Sequence, residues 1–555
     1  MPSDLHLPFW PAHAPRHLWV PETHLYRNVE VSAMRFPRKP LAIFYDTRIT
    51  YADFQRETEW VAAYLQQRLG VKKGDRVLLY MQNSPQFMIA FYGILRADAV
   101  VVPVNPMNLT QELVHYVRDS GAKVAFAAQD LLTRMQPLLG SSGLERIVVA
   151  TYSDYLREPT DITLPEFVSA PRAPLNHERL VAWADVLNAK LAPRAVEAGP
   201  DDLAVMPYTS GTTGHPKGCM HTHRSVMFNA AGVWSTANQG SVGLAVLPLF
   251  HVTGMQTNMN GAIYNAATVV LLPRWDRDAA ALCVQRHRVT GLALITAMVI
   301  DFMGNPKLSQ YDLSSVRRIG GGGAAMPKAV AQAMEKKFNL KYGEGYGMSE
   351  TMAATHANPP ERPKEQCLGI PLYDVDSRII DPVTLKELPQ GETGEIIVHG
   401  PQVMTGYWNQ PQATTDSFIE VDGKRFLRTG DLAYVDAEGY YFFVDRLKRM
   451  INAAGCKVWP AEVEALLYQH PAIQEACVIG AKDARRGETV KAVVVLKPSH
   501  AGMVTEQQIA DWAHANMAAY KAPRIVQFAS SLPKSGTGKV MWRSLQEAEN
   551  AAQAS

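Results

Sequence analysis

Cysteine is scarce in this sequence, and its spacing excludes two kinds of structure. The 555-residue chain has five cysteines, with no CxxC pair, at positions Cys219, Cys283, Cys367, Cys456 and Cys477. An odd number of scattered cysteines argues against a disulfide framework or a zinc site and is typical of a reducing compartment. We therefore expect a cytoplasmic protein.

The sequence also has no signal peptide and no apolar run that could span a membrane. Residues 1–15 contain an early aspartate and four prolines, without a basic start or an apolar core. Residues 225–273 contain no Asp, Glu, Lys or Arg. Asn, Gln, Thr, His and Pro interrupt that segment, whereas a spanning helix needs about 20 predominantly apolar residues. We expect it to form the buried centre of the largest domain, with its polar side chains facing a cavity; peripheral contact with a membrane stays open.

The balance of charge gives no sign of a nucleic-acid partner. The net charge is +2, and 47% of the residues are hydrophobic and 19% charged, as in ordinary globular enzymes. A chain of 555 residues implies two or three domains. The expected partners are small molecules, and whether the chain forms a homodimer stays open.

Short apolar runs alternate with helical patterns over the first part of the chain. This alternation predicts parallel sheets in an α/β architecture. The runs are 76–80, 99–103, 123–126, 146–150, 243–247 and 268–272, and helical patterns cover 51–69 and 86–97. The Pro- and charge-rich residues 156–200 are interpreted as a surface excursion. After about residue 374, shorter turn-linked runs predict β-structure, and the last 110 or so residues are enough for a small domain.

A glycine-rich stretch, YTSGTTGHPKG at residues 208–218, has four Ser/Thr hydroxyls, three glycines and one lysine. Backbone N–H groups and short donors of this kind can surround a phosphate. The stretch lacks the GxxxxGK[ST] pattern of the usual phosphate loop. Five further motifs follow in order: PLFHVTG at 248–254, GYGMSET at 345–351, RTGD at 428–431, the segment 445–464 beginning DRLKRMIN, and PKSGTGK at 533–539.

Together these six motifs resemble the adenylate-forming superfamily of acyl-CoA synthetases, luciferases and peptide-synthetase adenylation domains. The resemblance covers residues from about 40 to 545. It implies a large N-terminal domain, 1–444, of stacked parallel-rich sheets, with a β-barrel-like subdomain at about 374–444. It also implies a small mobile α+β domain, 445–555, that turns about a hinge at Asp445.

The resemblance assigns the nucleotide and metal contacts. The mobile phosphate loop would supply Thr209, Ser210, Gly211, Thr212, Thr213, Gly214 and Lys217. Glu350 would bind Mg²⁺, with Thr209 as a second ligand, since hard Mg²⁺ prefers oxygen donors. The wall around adenine and the acyl group would contain Gly322, Gly323, Ala324, Gly345, Tyr346, Gly347, Met348 and Ser349. Successive glycines at 320–323 would let a ligand approach the backbone. Asp431, assisted by Arg446, would accept hydrogen bonds from the ribose.

The remaining assignments concern the acid and CoA. His251 would position the substrate carboxylate. Lys539 would bridge that carboxylate and the α-phosphate, because an ammonium offsets the repulsion between two anions. Gly455, Lys457 and Trp459 would line the CoA tunnel. Arg446, Lys448 and Arg449 are candidates for its phosphates.

The resemblance predicts an AMP-forming acyl-CoA synthetase that uses ATP, Mg²⁺ and CoA. The 445–464 motif looks most like the fatty-acyl branch, so a medium- or long-chain fatty acid is the first prediction. Benzoate- or cinnamate-type aryl acids are the alternative. A dicarboxylate, paired with Arg274 or His251, is less favoured, as are a luciferase-like oxygenase and a stand-alone adenylation enzyme serving a carrier protein.

Overall fold

The structure is a computed structural model that describes residues 4–12, 14–209, 216–232, 238–323, 326–453, 456–483, 487–534 and 540–553, without the side chains of residues 456 and 457. Its contacts divide the chain into two compact units. The large unit contains His6–Asp376 and Val398–Leu427, and the small unit contains Met1–Leu5, Ser377–Ile397 and Arg428–Ser555.

The first sheet of the large unit has nine strands. Parallel pairing joins the six central strands, while antiparallel strands complete both edges. From edge to edge the strands are Ile370–Pro371, Ala353–Ala357, Tyr342–Met348, Arg318–Gly322, Gly291–Ala293, Val242–Ala245, Thr268–Leu271, Pro40–Phe44 and Thr47–Thr50. The strand Tyr342–Met348 carries most of the predicted GYGMSET motif.

The second sheet of the large unit is also mainly parallel. Its order is Gly406–Tyr407, Lys217–Thr222, Leu203–Val205, Val100–Pro103, Arg76–Tyr80, Val124–Ala128, Arg146–Ala150 and Leu180–Ala182, with Tyr208–Thr209 paired to Lys217–Thr222. Strands such as Val100–Pro103 and Val124–Ala128 are buried along their whole length, as expected of strands covered on both faces. One hydrophobic core contains residues from both sheets.

Two long helices of the large unit, Tyr51–Gln67 and Pro85–Arg96, are preceded by capping residues whose side chains bind the first turn. Thr50 accepts the Asp53 N–H at 3.1 Å, and Ser84, followed by Pro85, accepts the Phe87 N–H at 3.1 Å. The longer helices are Arg27–Arg35, Tyr51–Gln67, Pro85–Arg96, Thr110–Ser120, His223–Gly232, Arg277–His287, Thr296–Met303 and Lys328–Phe338. Short helices are Leu132–Met135, Glu166–Ser169, Trp183–Asn188, Val252–Gly254, Gly261–Tyr264 and Pro411–Asp416, and Met255–Asn260 is a π-helix.

The small unit contains two β-regions and three helices. Its first region contains most of Asp376–Ile380 and of Gly394–His399, part of Lys424–Val435, and Tyr441–Arg446. The strand Phe418–Val421 pairs with the part of Lys424–Val435 that belongs to the large unit. Its second sheet contains Ile451–Ala453, Cys456–Val458, Ile473–Asp483, Gly487–Leu496 and Ile525–Phe528. The helices are Pro460–Leu467, Glu506–Asn516 and Trp542–Ala552.

The α/β fold class is confirmed, with a large sheet-rich N-terminal part and a small C-terminal part. The prediction for residues 156–200 is wrong in part. Leu180–Ala182 forms the last strand of the second sheet, and the following Trp183 is only 1% exposed. The domain boundary and hinge at Asp445 stay predictions. No helix in the described residues is long and apolar enough to cross a membrane.

Candidate active site

The two ends of the predicted phosphate loop lie side by side. Thr209 and Lys217 are directly opposite each other in an antiparallel pair. Tyr208 fixes this base because its hydroxyl donates to Asp119 Oδ2 at 2.6 Å. His115 Nε2 donates to the carbonyl of Pro216 at 2.7 Å. The described part of the loop is therefore anchored to the helix Thr110–Ser120.

Glu350 is buried beside this base. Glu350 is only 6% exposed and lies on the turn Ser349–Thr351. This turn contacts the strand Tyr208–Thr209. The Tyr407 hydroxyl donates to Glu350 Oε1 at 2.8 Å. Lys217 Nζ lies 5.0 Å from the centre of the Tyr407 ring. The structure thus brings Thr209, Lys217 and Glu350, three residues predicted from separate motifs, into one neighbourhood.

Two buried polar side chains hold the turn that carries Glu350. His221 Nε2 donates to the Ser349 carbonyl at 2.7 Å, and burial lowers the pKa of His221 to about 4, so the ring is neutral at physiological pH. The Asn229 amide donates to the carbonyls of Thr351 and Met352 at 3.1 and 2.6 Å. These bonds explain how the backbone at 349–352 is fixed.

The backbone after Glu350 is strained. Met352 and Ala353 have φ values of 47° and 90°, in a region that non-glycine residues rarely adopt. Such conformations persist only where the surroundings impose them, and they concentrate at functional sites. The strain supports a functional role for this turn.

The glycines of the predicted ligand wall are required by neighbouring backbone. A Cβ at Gly321 would lie 2.2 Å from the Leu294 carbonyl oxygen, and one at Gly322 would lie 2.4 Å from that of Gly345. At Gly347 the distance to the Ala353 oxygen would be 1.7 Å. Gly323 has a φ of 89° and open space around its Cβ position. Close strand packing therefore accounts for three of these glycines whether or not a ligand touches them.

Tyr346 is half-buried on the same strand, opposite His356. The two rings are 5.6 Å apart. Burial, with a smaller contribution from nearby His6, lowers the pKa of His356 to about 3, so His356 is neutral. The Tyr346 ring therefore packs near an uncharged aromatic ring. Met348 and Ser349 continue the strand into the Glu350 turn, where the Met348 N–H donates to Thr351 Oγ1 at 3.0 Å.

Glu344, which sequence reasoning did not single out, is a second buried acid on this strand. It is 8% exposed, and its Oε1 accepts the Gln366 N–H at 3.0 Å. Burial raises its pKa to about 7, although bonds from the backbone N–H groups of Met326 and Gln366 oppose the rise. It has the raised pKa that often marks functional sites.

His251 begins the short helix Val252–Gly254. Its Nδ1 accepts the Thr253 N–H at 3.3 Å, which leaves any proton of the neutral ring on Nε2. Gly254 is needed here because a Cβ would lie 2.3 Å from the Pro248 oxygen. Arg274 is exposed and lies over the Phe167 ring at 4.5 Å. That contact gives no support to Arg274 as a partner for a substrate dicarboxylate.

The donor set around Glu350 suits Mg²⁺ that arrives with a nucleotide. In the described residues no group of three or more His, Cys, Asp or Glu side chains could form a metal cage. Mg²⁺ does not need one, since it commonly takes one or two protein oxygens along with phosphates and water. The buried Glu350 carboxylate, on a turn that contacts the strand carrying Thr209, meets that requirement.

In the small unit, the structure pairs two of the predicted residues. Asp431 and Arg446 are opposite each other across an antiparallel pair, and Arg446 Nε is 3.0 Å from Asp431 Oδ1. Asp431 is 1% exposed. The predicted assistance from Arg446 thus has a geometric basis, while the ribose contact stays a prediction.

Asp445 and Arg449 are internal in this structure. Asp445 is fully buried and accepts the N–H groups of Arg446 and Ala461, both at 2.6 Å. Arg449 pairs with Glu464, donates to the Val478 carbonyl at 3.1 Å and lies 3.7 Å from Asp445 Oδ1. These bonds occupy the Arg449 guanidinium, so its suggested contact with CoA phosphates is not supported in this arrangement.

The other predicted CoA contacts are partly described. Lys448 is exposed, and Trp459 is half-buried immediately before the helix Pro460–Leu467. The backbone of Lys457 pairs with Asn452. Eight predicted site residues lie outside the described residues: Ser210, Gly211, Thr212, Thr213, Gly214, Ala324, Gly455 and Lys539.

Polar residues in the charge-free segment 225–273 mostly bind other protein groups. Besides Asn229, Asn260 accepts the Tyr92 hydroxyl at 2.9 Å, and the Thr268 hydroxyl donates to the Pro40 carbonyl at 2.7 Å. The prediction that such side chains face a cavity is therefore wrong for these three. For Asn229 the available signal was an amide in the helix His223–Gly232, whereas His221 lies in a strand without a recognisable pattern; the sequence does not show what either residue binds.

Comparison with known proteins identifies the family. Residues 29–408 match the AMP-binding enzyme family, and residues 462–539 match the AMP-binding enzyme C-terminal domain. The long-chain-fatty-acid–CoA ligase of Bacillus subtilis is 35% identical over 97% of both chains. The 4-coumarate–CoA ligase 2 of Oryza sativa is 33% identical over 96% of this chain and 92% of its own.

Solved structures give the same result. An anthranilate CoA ligase, AuaEII, in complex with anthranoyl-AMP is 27% identical, with a TM-score of 0.82 over 98% of this chain and 99% of its own. ATP-bound MatB from Rhodopseudomonas palustris is 26% identical, with a TM-score of 0.84 over 96% of this chain and 100% of its own. The chain belongs to the AMP-binding, adenylate-forming enzymes. Within that family it is an acid–thiol ligase of the acyl-CoA synthetase branch.

Proposed function

We propose that this enzyme joins a medium- or long-chain fatty acid to CoA at the expense of ATP. In the first step a carboxylate oxygen attacks the α-phosphorus, and the bond to pyrophosphate breaks to leave acyl-AMP. In the second step the CoA thiol loses its proton and attacks the acyl carbon, and AMP leaves. The adenylate is needed because a free carboxylate does not react with thiols, whereas AMP is a good leaving group.

The proposed site uses residues on the described base of the phosphate loop. Lys217 adds positive charge near the β- and γ-phosphates, and Thr209 supplies a hydroxyl. Glu350, with Thr209, holds Mg²⁺, which would neutralise phosphate charge when bound. Tyr346 lies against adenine, His251 orients the acid, and Asp431 with Arg446 binds the ribose.

In this proposal Lys539 is the main catalytic residue of the first half-reaction, the formation of acyl-AMP. Its ammonium lies between the attacking carboxylate and the α-phosphate, where it stabilises the charge that grows on the phosphoryl oxygens. The C-terminal domain then turns about Asp445 and presents Gly455, Lys457 and Trp459 to CoA, with Arg446 and Lys448 near its phosphates. One small domain thereby serves two reactions in turn.

The fatty-acid assignment, first suggested by the 445–464 motif, is supported by the apolar character of residues 225–273. Most described residues of this charge-free segment are buried, including Met255, Met259 and Ile263, each 0% exposed. An apolar pocket gains about 0.8 kcal/mol per buried methylene. Relatives named long-chain-fatty-acid–CoA ligases, at 31–35% identity, support the same class.

An aryl acid is the second candidate, because 4-coumarate–CoA ligases are 31–33% identical to the chain. A panel of carboxylic acids from acetate to palmitate, together with benzoate and 4-coumarate, separates the two. Pyrophosphate release should have a kcat/KM that rises severalfold with each added methylene up to the pocket length. A preference for benzoate or 4-coumarate over every alkyl acid would reject the fatty-acid assignment.

The role of Lys539 has its own test in separated half-reactions. Lys539→Ala should reduce pyrophosphate release from acid and ATP by at least about 100-fold, on the scale of losing one group that stabilises transition-state charge. Thioester formation from supplied acyl-AMP and CoA should stay within severalfold of wild type.

Lys534→Ala is the matched control for this test. Lys534 lies in the same PKSGTGK motif but pairs with Glu475 at 2.7 Å. Equal loss of both half-reactions in Lys539→Ala, or an equal effect of Lys534→Ala, would contradict the proposed role.

A further inference from the structure

Tyr407 contacts both a predicted metal ligand and a predicted phosphate-binding lysine. Its hydroxyl donates to Glu350 Oε1 at 2.8 Å, and Lys217 Nζ lies 5.0 Å from its ring centre. The residue is 9% exposed and lies 57 positions from Glu350 in the sequence. None of the six sequence motifs contains it. One side chain therefore faces an anion with its hydroxyl and a cation with its ring.

The backbone around Tyr407 is held on several sides. Tyr407 is paired with Cys219 in the second sheet, and the next residue, Trp408, donates its N–H to the Gly218 carbonyl at 2.8 Å. The Tyr407 N–H donates to Thr414 Oγ1 at 2.9 Å. The strand Lys217–Thr222 thus fixes the backbone positions of Tyr407 and Lys217 relative to each other.

A second link joins the same segment to the Glu350 turn. The Met404 N–H donates to the Glu350 carbonyl at 2.8 Å, three residues before Tyr407. Both the backbone and the carboxylate of Glu350 are therefore held from the strand Gly406–Tyr407 and its approach. A carboxylate with one oxygen fixed in this way has a set orientation, which a small cation with strict geometry requires.

We infer that Tyr407 is a positioning residue that orients Glu350 for Mg²⁺ through its hydroxyl and Lys217 for phosphate through its ring. This inference rests on the proposed function, specifically on Glu350 as the metal ligand. The ring attracts the ammonium by a cation–π contact, and the hydroxyl gives a charge-assisted hydrogen bond to the carboxylate. Tyr407 itself is expected to touch neither metal nor nucleotide.

The test measures ATP binding by calorimetry without acid or CoA, once with Mg²⁺ and once with EDTA. The ratio of the two dissociation constants reports how strongly metal and nucleotide are coupled. Losing a hydrogen bond to a metal-ligating group typically weakens metal affinity about 10–100-fold. Tyr407→Phe should therefore lower the coupling ratio at least about tenfold and leave ATP affinity in EDTA within about twofold of wild type.

A second variant separates the ring from the hydroxyl. Tyr407→Leu should lower the coupling ratio and also weaken ATP binding in EDTA, since Lys217 loses its aromatic contact. In a Glu350→Gln background, Tyr407→Phe should have no further effect on the ratio. Tyr51→Phe is the control, because Tyr51 is also a buried tyrosine of the large unit, and its hydroxyl donates to the Ala267 carbonyl at 2.7 Å, away from Glu350 and Lys217.

The outcomes distinguish this inference from the proposed function. If Glu350→Gln abolishes the coupling and Tyr407→Phe leaves it within twofold, the inference is wrong and the metal role of Glu350 stands. If Glu350→Gln leaves the coupling unchanged, both are wrong. If Tyr407→Phe does not fold, p-fluorophenylalanine is placed at position 407 instead. Its fluorine occupies the position of the hydroxyl but has no proton to donate. The same ratio of ATP dissociation constants with Mg²⁺ and with EDTA then tests the inference.

Discussion

Replacing Glu344 by glutamine should remove a cost to stability that grows with pH. Glu344 is buried on the strand Tyr342–Met348, and burial raises its pKa from 4.5 to about 7. The folded chain therefore holds the proton more tightly than the unfolded chain. The associated stability is complete below about pH 4.5 and is lost as the pH rises through about 7.

The difference between 4.5 and about 7 corresponds to about 3 kcal/mol of unfolding free energy. About 2.5 kcal/mol of this falls between roughly pH 5 and pH 8.5, from the linkage relation. Glutamine has nearly the same shape, carries no charge and keeps an oxygen for the Gln366 N–H. The variant should therefore gain about 2.5 kcal/mol relative to wild type over that pH range.

Urea unfolding of the large unit, extrapolated linearly to water at each pH, measures this difference. Glu420→Gln is the control, because it removes the same charge from an exposed position of the same unit. A Glu344→Gln effect that is equal at both ends of the pH range would refute the reasoning. So would a pH-dependent gain of the same size in Glu420→Gln.

Two further substitutions examine the turn that carries Glu350. Gly347→Ala would put a Cβ 1.7 Å from the Ala353 oxygen, so it should lower the free energy of unfolding by about 3 kcal/mol or more and weaken ATP binding. Gly343→Ala is the control on the same strand. Its Cβ would have its nearest neighbour at 3.9 Å, so the loss of unfolding free energy should be less than about 1 kcal/mol. Urea unfolding and calorimetry would measure both variants, and equal effects would contradict the packing argument. Asn229→Ala leaves the carbonyls of Thr351 and Met352 without their amide donor. The free energy of unfolding, measured in the same urea assay, should fall by about 1–3 kcal/mol. An unchanged unfolding midpoint would show that these bonds do not stabilise the turn.

The sequence was sufficient to predict individual buried strands but not to predict their order in the sheets. Arg76–Tyr80 and Arg146–Ala150 have the predicted bounds, because fully buried strands are continuous apolar runs between turns. By contrast, Pro40–Phe44 pairs with Thr268–Leu271, more than 220 positions away. Lys217–Thr222 contains the polar sequence KGCMHT, which carries no strand pattern, and the pairing partners on either side of it decide its conformation.

The residues of the candidate site likewise fall into those that the sequence predicts and those that it does not. Thr209, Lys217, Tyr346 and Glu350 lie in motifs whose local composition already indicates a ligand. His221, Asn229, Glu344 and Tyr407 lie in segments with no such composition, and their roles arise from contacts with distant parts of the chain. The His221 bond to Ser349 spans 128 positions, and the Asn229 bond to Thr351 spans 122. Local pattern therefore predicts groups that face ligands better than groups that face other protein atoms.

That difference has a physical consequence for the metal site. Met352 and Ala353, directly after the Glu350 turn, have an unfavourable backbone conformation, which persists only where the surrounding structure imposes it. His221, Asn229 and the 404–407 segment supply the bonds that offset this cost, and all of them come from the second sheet or the helix that follows it. Thr209 and Lys217, which flank the predicted phosphate loop, pair with each other in that same sheet. Anchoring the turn there keeps Glu350 in register with Lys217, so the geometry proposed for Mg²⁺ and phosphate depends on one strand, Lys217–Thr222, rather than on the turn itself.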